Sequence, residues 1–94
     1  MEQPTRNVIG STIRRLRTDK ELSQQRLVIE CARLGYDFPR GTLVKIESGI
    51  RAVSDVELFV LAHALKVELT DLFPSGLLRR IRDEKIVPFH IRKS

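Results

Sequence analysis

Apolar residues recur along most of this chain at intervals of three and four, the spacing that lays one face of an α-helix against a core. Ile9, Ile13 and Leu16 keep that interval with Arg14, Arg15 and Arg17 among them, and Asn7 stands where a side chain can cap the first turn. A first helix is predicted over about 8–20. Ser23 is a good N-cap, and Leu27, Cys31 and Leu34 repeat the pattern until Gly35, a natural stop. A second helix is predicted over about 24–34. Gly35-Tyr36-Asp37-Phe38-Pro39 cannot continue it, because the residue before proline is pushed towards extended geometry, and it is read as a turn. Pro39 suits the first turn of a third helix, predicted over about 39–48, in which Leu43, Ile46 and Ile50 form a short apolar seam closed by Gly49. Ser54 and Glu57 have capping-box spacing ahead of Leu58, Leu61, Ala62 and Leu65, which predicts a fourth helix over about 55–65. Leu69, Leu72 and Phe73 fit one or two further turns before Pro74. No strand-like alternation competes, so the pattern describes an all-α domain of five helices over residues 1–73 and a tail over 74–94.

Length and composition limit the function classes. Ninety-four residues support one modest core, and 41% apolar with 31% charged residues suits a folded chain. The net charge of +5 favours a polyanionic partner. Its distribution matters: residues 1–73 carry 11 Lys/Arg against 10 Asp/Glu, and residues 74–94 carry 6 against 2, so most of the excess lies in the tail. Cys31 has no second cysteine for a disulfide and fits a helical core position in a reduced, cytoplasmic setting. No apolar run is long enough for a transmembrane helix, so no membrane association is expected, and the polar start is unlike a signal peptide. His63 and His90 lack ligand partners at metal spacing, and no nucleophile motif or phosphate-cradling glycine loop occurs. No cofactor, metal site or enzyme activity is expected.

Two strings carry a resemblance. IGSTIRRLRTDKELSQ, followed by LVKIESGIRAVSDVELFVLAHALKVELTDLF, is similar to the lambda repressor-like, Cro-type helix-turn-helix domain of phage repressors and many bacterial regulators. The likeness spans roughly residues 8–73 and rests on the joint spacing of Leu22-Ser23-Gln24, Ile46-Glu47-Ser48-Gly49, Arg51 and Leu61-Ala62-His63-Ala64-Leu65. There are departures. About five extra residues, spread over Arg33 to Asp37, lengthen the second helix and widen the turn after it, as in a variant subgroup with a Leu-Gly-aromatic-Asp segment here. Glu21 and Lys66 stand where glycine usually ends the first and fourth helices.

The resemblance implies sequence-specific binding of double-stranded DNA by a homodimeric, cytoplasmic transcriptional regulator, with the third helix in the major groove and the second crossing the backbone. With Leu43 and Ile46 inward, Arg40, Gly41, Thr42 and Lys45 fall where the family contacts bases. Arg40 suits a bidentate pair to guanine, Lys45 a donor contact and Thr42 a hydroxyl or methyl contact, and Gly41 allows close approach. The plain alternative for Arg40 and Lys45 is an ordinary solvated face. Gln24 and Gln25 follow a cap whose free amides can hold a phosphate, and Arg51 matches a basic loop position that clamps the DNA backbone. The resemblance also implies that Arg17 and Glu47 pair between the first and third helices as a structural contact. A protein-interaction module that keeps the fold without reading DNA is the alternative function.

The tail stays open. Residues 75–86 suit a short helix, and Leu77, Leu78, Ile81, Ile86, Val87, Phe89 and Ile91 offer more apolar surface than a solvated tail needs. Dimerisation, a phosphate-binding arm and disorder are the readings available.

Overall fold

The computed structural model describes residues 5–84. Within them the chain forms five α-helices and one 3₁₀ turn: α1 Gly10–Asp19, α2 Gln24–Arg33, α3 Thr42–Glu47, α4 Asp55–Leu65, the 3₁₀ turn Leu69–Leu72, and α5 Leu77–Glu84. No strand occurs among the described residues. The fifth predicted element is therefore the 3₁₀ turn, and α5 is a sixth. Tail residues Ile86, Val87, Phe89 and Ile91 lie outside the described segment.

Packing pairs α1 with α3, α2 with both α3 and α4, and α4 with the 3₁₀ turn. Ile13, Leu27, Cys31, Ile46, Leu61 and Leu65 from four helices are fully buried where these pairs meet. Burying one such side chain contributes about 1.5–3 kcal/mol, so this cluster supplies the main drive to fold. Two residues of the predicted seams are outside it: Leu34 and Ile50 are 52% and 47% exposed.

The approach of α1 to α3 depends on Gly10. A Cβ there would run into the carbonyl oxygens of Ile46 and Glu47, and those are backbone atoms that cannot swing aside. Asn7 fixes the same junction. Its Oδ1 accepts from the amides of Ile9 (3.0 Å) and Gly10 (2.8 Å), and its Nδ2 donates to the carbonyls of Ile46 (3.1 Å) and Arg51 (2.8 Å). One side chain thus caps α1 and ties it to both the end of α3 and the following loop.

The first four helices end alike. In each, a residue one or two positions past the helix adopts left-handed backbone geometry, and two amides turn back to the last-turn carbonyls. After α2 these bonds run from Gly35 to Ala32 and from Tyr36 to Cys31; after α3, from Gly49 to Ile46 and from Ile50 to Lys45. After α1 and α4 the left-handed residues are Glu21 (φ 58°) and Lys66 (φ 60°), with matching bonds from Glu21 to Thr18 and from Lys66 to His63. Side chains are disfavoured in that geometry.

The third helix is shorter than predicted. It starts at Thr42 because Gly41 is left-handed (φ 81°) and the Thr42 amide turns back to the Pro39 carbonyl at 3.1 Å. Pro39, Arg40 and Gly41 therefore form a turn leading into α3 instead of its first residues.

Two outcomes are expected from thermal unfolding. Gly10→Ala destabilises by about 1–3 kcal/mol, because the α1–α3 contact must open to admit a methyl group. Lys66→Gly and Glu21→Gly each stabilise by about 1 kcal/mol, raising Tm by roughly 4–8 °C in a domain of this size. A lower Tm for either glycine variant contradicts the strain argument.

Candidate nucleic-acid interface

Thr42, Leu43, Ile46 and Glu47 are all buried and Val44 and Lys45 are exposed, so α3 presents a narrow outer edge. At 100° per residue the four buried positions share one arc and the two exposed ones the opposite arc. Thr42 differs from expectation: read as an outward contact residue, it is 8% exposed and faces into the domain. Arg40 and Gly41 are exposed just ahead of the helix. A Cβ on Gly41 would meet only open space, so its backbone angle, not crowding within the chain, calls for glycine. Sequence reasoning passed over Val44, which is 51% exposed beside Lys45. Its one signal was its place directly after Leu43 in a short helix, where the next position turns outward.

Behind this edge Glu47 is buried and fully engaged. Its Oε2 accepts from Nε of Arg17 at 2.7 Å, and its Oε1 accepts from Nη2 of Arg17 at 3.0 Å and from Nε2 of Gln24 at 2.9 Å. The remaining Arg17 nitrogen, Nη1, donates to the Leu22 carbonyl at 2.7 Å. Arg17 is itself only 8% exposed. The hydrogen bond to Glu47 outweighs the cost of burying the guanidinium and raises its pKa above the usual arginine value. The pair thus joins α1, the start of α2 and the inner face of α3.

Gln24 therefore has a role absent from the sequence reading: half-buried, it directs one amide hydrogen at Glu47 and keeps a second. Gln25 is exposed. Both stand in the first turn of α2, directly after its cap Ser23, whose Oγ accepts from the Arg26 amide at 2.9 Å.

Arg51 is also placed differently from a free phosphate clamp. Its Nη1 donates to Glu57 Oε1 at 2.9 Å and to the Ala52 carbonyl at 2.9 Å, and its Nη2 donates to Glu57 Oε2 at 3.0 Å. Glu57 accepts two more bonds, from the Ser54 amide at 3.0 Å and from the Tyr36 hydroxyl at 2.6 Å. Hydrogen bonds from Arg51, then Tyr36 and the Ser54 amide, outweigh burial and hold the Glu57 carboxyl down at about 2. Spacing showed Glu57 only as the fourth member of a capping box; its partners Arg51 and Tyr36 come from a loop and from the widened turn, where no periodicity announces a contact.

No group of three or more His, Cys, Asp or Glu is arranged to hold a metal ion among the described residues. Burial pushes the Cys31 thiol up to about 11, which leaves it protonated inside the core. None of the helices in the described segment is long and apolar enough to cross a membrane.

This arrangement has a solved counterpart. The restriction-modification controller protein C.AhdI from Aeromonas hydrophila is 37% identical over 69% of this chain and 91% of its own, with a TM-score of 0.61. The chain belongs to the lambda repressor-like, Cro-type helix-turn-helix family. No protein-family model and no curated protein sequence matches it. Within that family, the pair formed by α2 and α3 is the helix-turn-helix, with residues 34–41 as its widened connection.

Glu47→Ala leaves the Arg17 guanidinium buried without its carboxylate and should cost about 3–5 kcal/mol, lowering Tm by on the order of 10 °C or more in the absence of DNA. An unchanged Tm would show that the pair does not hold the domain together. Glu57 gives a pH dependence of defined sign. Its folded-state value lies below its usual 4.5, so its contribution is in place above 4.5 and is lost as pH falls from there towards 2. Thermal scans across that interval should show a steeper loss for the natural protein than for Glu57→Gln; parallel curves contradict the assignment.

Proposed function

We propose that this protein is a sequence-specific transcriptional regulator that binds double-stranded DNA through the outer edge of α3 and the turn before it, and that it acts without enzymatic activity. The observation that carries this reading is that Arg40 and Gly41 are exposed in the turn before α3, and Val44 and Lys45 on the outer edge of α3 itself, whose inner face is fixed by buried Leu43, Ile46 and Glu47. Arg40 and Lys45 supply donors for guanine O6 and N7, and Val44 supplies an apolar surface for a thymine methyl. Gly41 lets the backbone approach the groove. The likeness to a restriction-modification controller supports a regulatory role. Occupying an operator, and so repressing, is the mode of action this reading favours.

Phosphate contacts follow from the same docking. The start of α2 offers Gln25 and the second amide hydrogen of Gln24, and the loop after α3 offers Arg51. Because Arg51 is committed to Glu57 by two bonds, its part in binding is to reach a phosphate with its half-exposed edge while Glu57 holds its orientation. Thr42, being buried, is left to support the turn.

In this reading residues 1–73 are the DNA-binding unit, and the tail over 74–94 contributes to a homodimer on a roughly palindromic operator. One short helix reads only a few base pairs, so two-fold pairing over half-sites about 34–36 Å apart supplies the rest. Support comes from apolar surface outside the core. Val56 and Phe59 on the outer face of α4 are 56% and 59% exposed, and Leu78 and Ile81 on α5 are 83% and 41% exposed. A second copy would bury both faces. A cytoplasmic location goes with this function.

Arg40→Ala and Lys45→Ala should each cost about 1–3 kcal/mol on the preferred duplex and leave affinity for scrambled duplex nearly unchanged, as measured by fluorescence anisotropy. Equal weakening on both duplexes would remove α3 as the reader; no binding to any duplex would favour a protein-interaction module. Truncation after Phe73 should leave a helical domain with weaker self-association and weaker operator affinity. Sedimentation decides it: equal association states for the full and shortened chains remove the tail from the dimer contact.

A further inference from the structure

The connection between α2 and α3 runs between two left-handed glycines and has two side-chain anchors between them. Gly35 (φ 98°) and Gly41 (φ 81°) bound it, and neither has a neighbour within reach of an added Cβ. Between them Phe38 is buried in the core and Tyr36 donates its hydroxyl to Glu57 Oε2 at 2.6 Å, with the two rings edge to face at 4.8 Å. The same carboxylate holds Arg51, in the loop that follows α3. Both flanks of α3, the connection before it and the loop after it, are therefore fastened to one buried side chain at the start of α4. Glu47 fixes the inner face of α3; Glu57 fixes its two ends.

We propose that Tyr36 is a positioning residue for DNA recognition: by tying the α2–α3 connection to Glu57, it sets the approach of Arg40 relative to the Arg51 loop and thereby sharpens discrimination between sequences. This rests on the reading of α3 and its leading turn as the element that meets bases. The chemistry is specific to a hydroxyl. Phenylalanine at position 36 keeps the ring contact with Phe38 but has nothing to donate, so the core stays filled while the tie to Glu57 is lost. Glu57 then remains bonded to Arg51 and Ser54, so the trailing flank keeps its tie while the leading flank is left with Phe38 alone of its two side-chain anchors. Base contacts need directional donors within a few tenths of an ångström, whereas phosphate contacts tolerate adjustment, so a loosened leading flank weakens specific binding more than non-specific binding.

The test measures binding of the full chain to its preferred duplex and to a scrambled duplex of the same composition, for Tyr36→Phe, Glu57→Gln, the double variant and Arg40→Ala. For Tyr36→Phe the expected result is a roughly three- to tenfold fall in the ratio of the two affinities, with scrambled-duplex affinity within about twofold of the natural protein and helical content unchanged. If Tyr36 acts through Glu57, the effects of Tyr36→Phe and Glu57→Gln on the ratio should combine less than additively in the double variant. Should Arg40→Ala lower the ratio and Tyr36→Phe leave it unchanged, the positioning role of Tyr36 is overturned and α3 remains the reader. Should neither variant change the ratio, the assignment of α3 fails and the role of Tyr36 with it.

Discussion

A six-residue helix cannot hold its own position, and in this protein a buried carboxylate does it. Helices this short are unstable in water because nucleation costs more than the few backbone bonds return. α3 persists because Leu43 and Ile46 are buried and because Glu47 receives three hydrogen bonds from Arg17 and Gln24. Taking those charges out of water is expensive, and a well-packed apolar cluster would serve stability as well. What the ion pair adds is direction: a two-pronged guanidinium–carboxylate contact fixes rotation about the helix axis in a way that apolar packing does not. Rotation decides which side chains reach outward, so Val44 and Lys45 owe their exposure to Glu47.

The remaining anchors follow from the same requirement. Gly10 lets α1 come close enough to α3 for Arg17 to reach Glu47, and Asn7 secures that approach with four hydrogen bonds. Glu57 then gathers the turn before α3, the loop after it and the start of α4. Backbone strain is accepted at Glu21 and Lys66, where helix ends rather than contact residues are at stake. Polar interactions are concentrated around α3, and the apolar core beneath it spans α1, α2 and α4.

Much of the fold was legible because periodicity and caps are local signals. The first, second and fourth helices lie close to their predicted spans, Ser23 and Ser54 cap as their spacing indicates, and left-handed geometry occurs at the two non-glycine positions singled out from the resemblance. The start of α3 was misplaced because Pro39 fits a helix's first turn and a preceding turn equally well; the left-handed backbone at Gly41 decides between them, and a side-chain pattern does not carry that angle. Thr42 was placed outward from the resemblance, although with Leu43 and Ile46 inward it lies on the same arc of the helix as they do. Arg51 and Tyr36 were harder still. Their common partner is distant in sequence from Tyr36 and belongs to a helix cap, so three separate local signals meet only in the folded chain.

The central claim is that a helix edge fixed from behind by Glu47 and from its ends by Glu57 reads base sequence. Selection of bound fragments from a pool of random duplex DNA by the full-length protein tests it most directly. The account predicts convergence on a motif with two-fold-related halves spaced by about one helical turn of DNA. A folded protein that retains duplexes with no motif above the starting pool, or retains none, would contradict it.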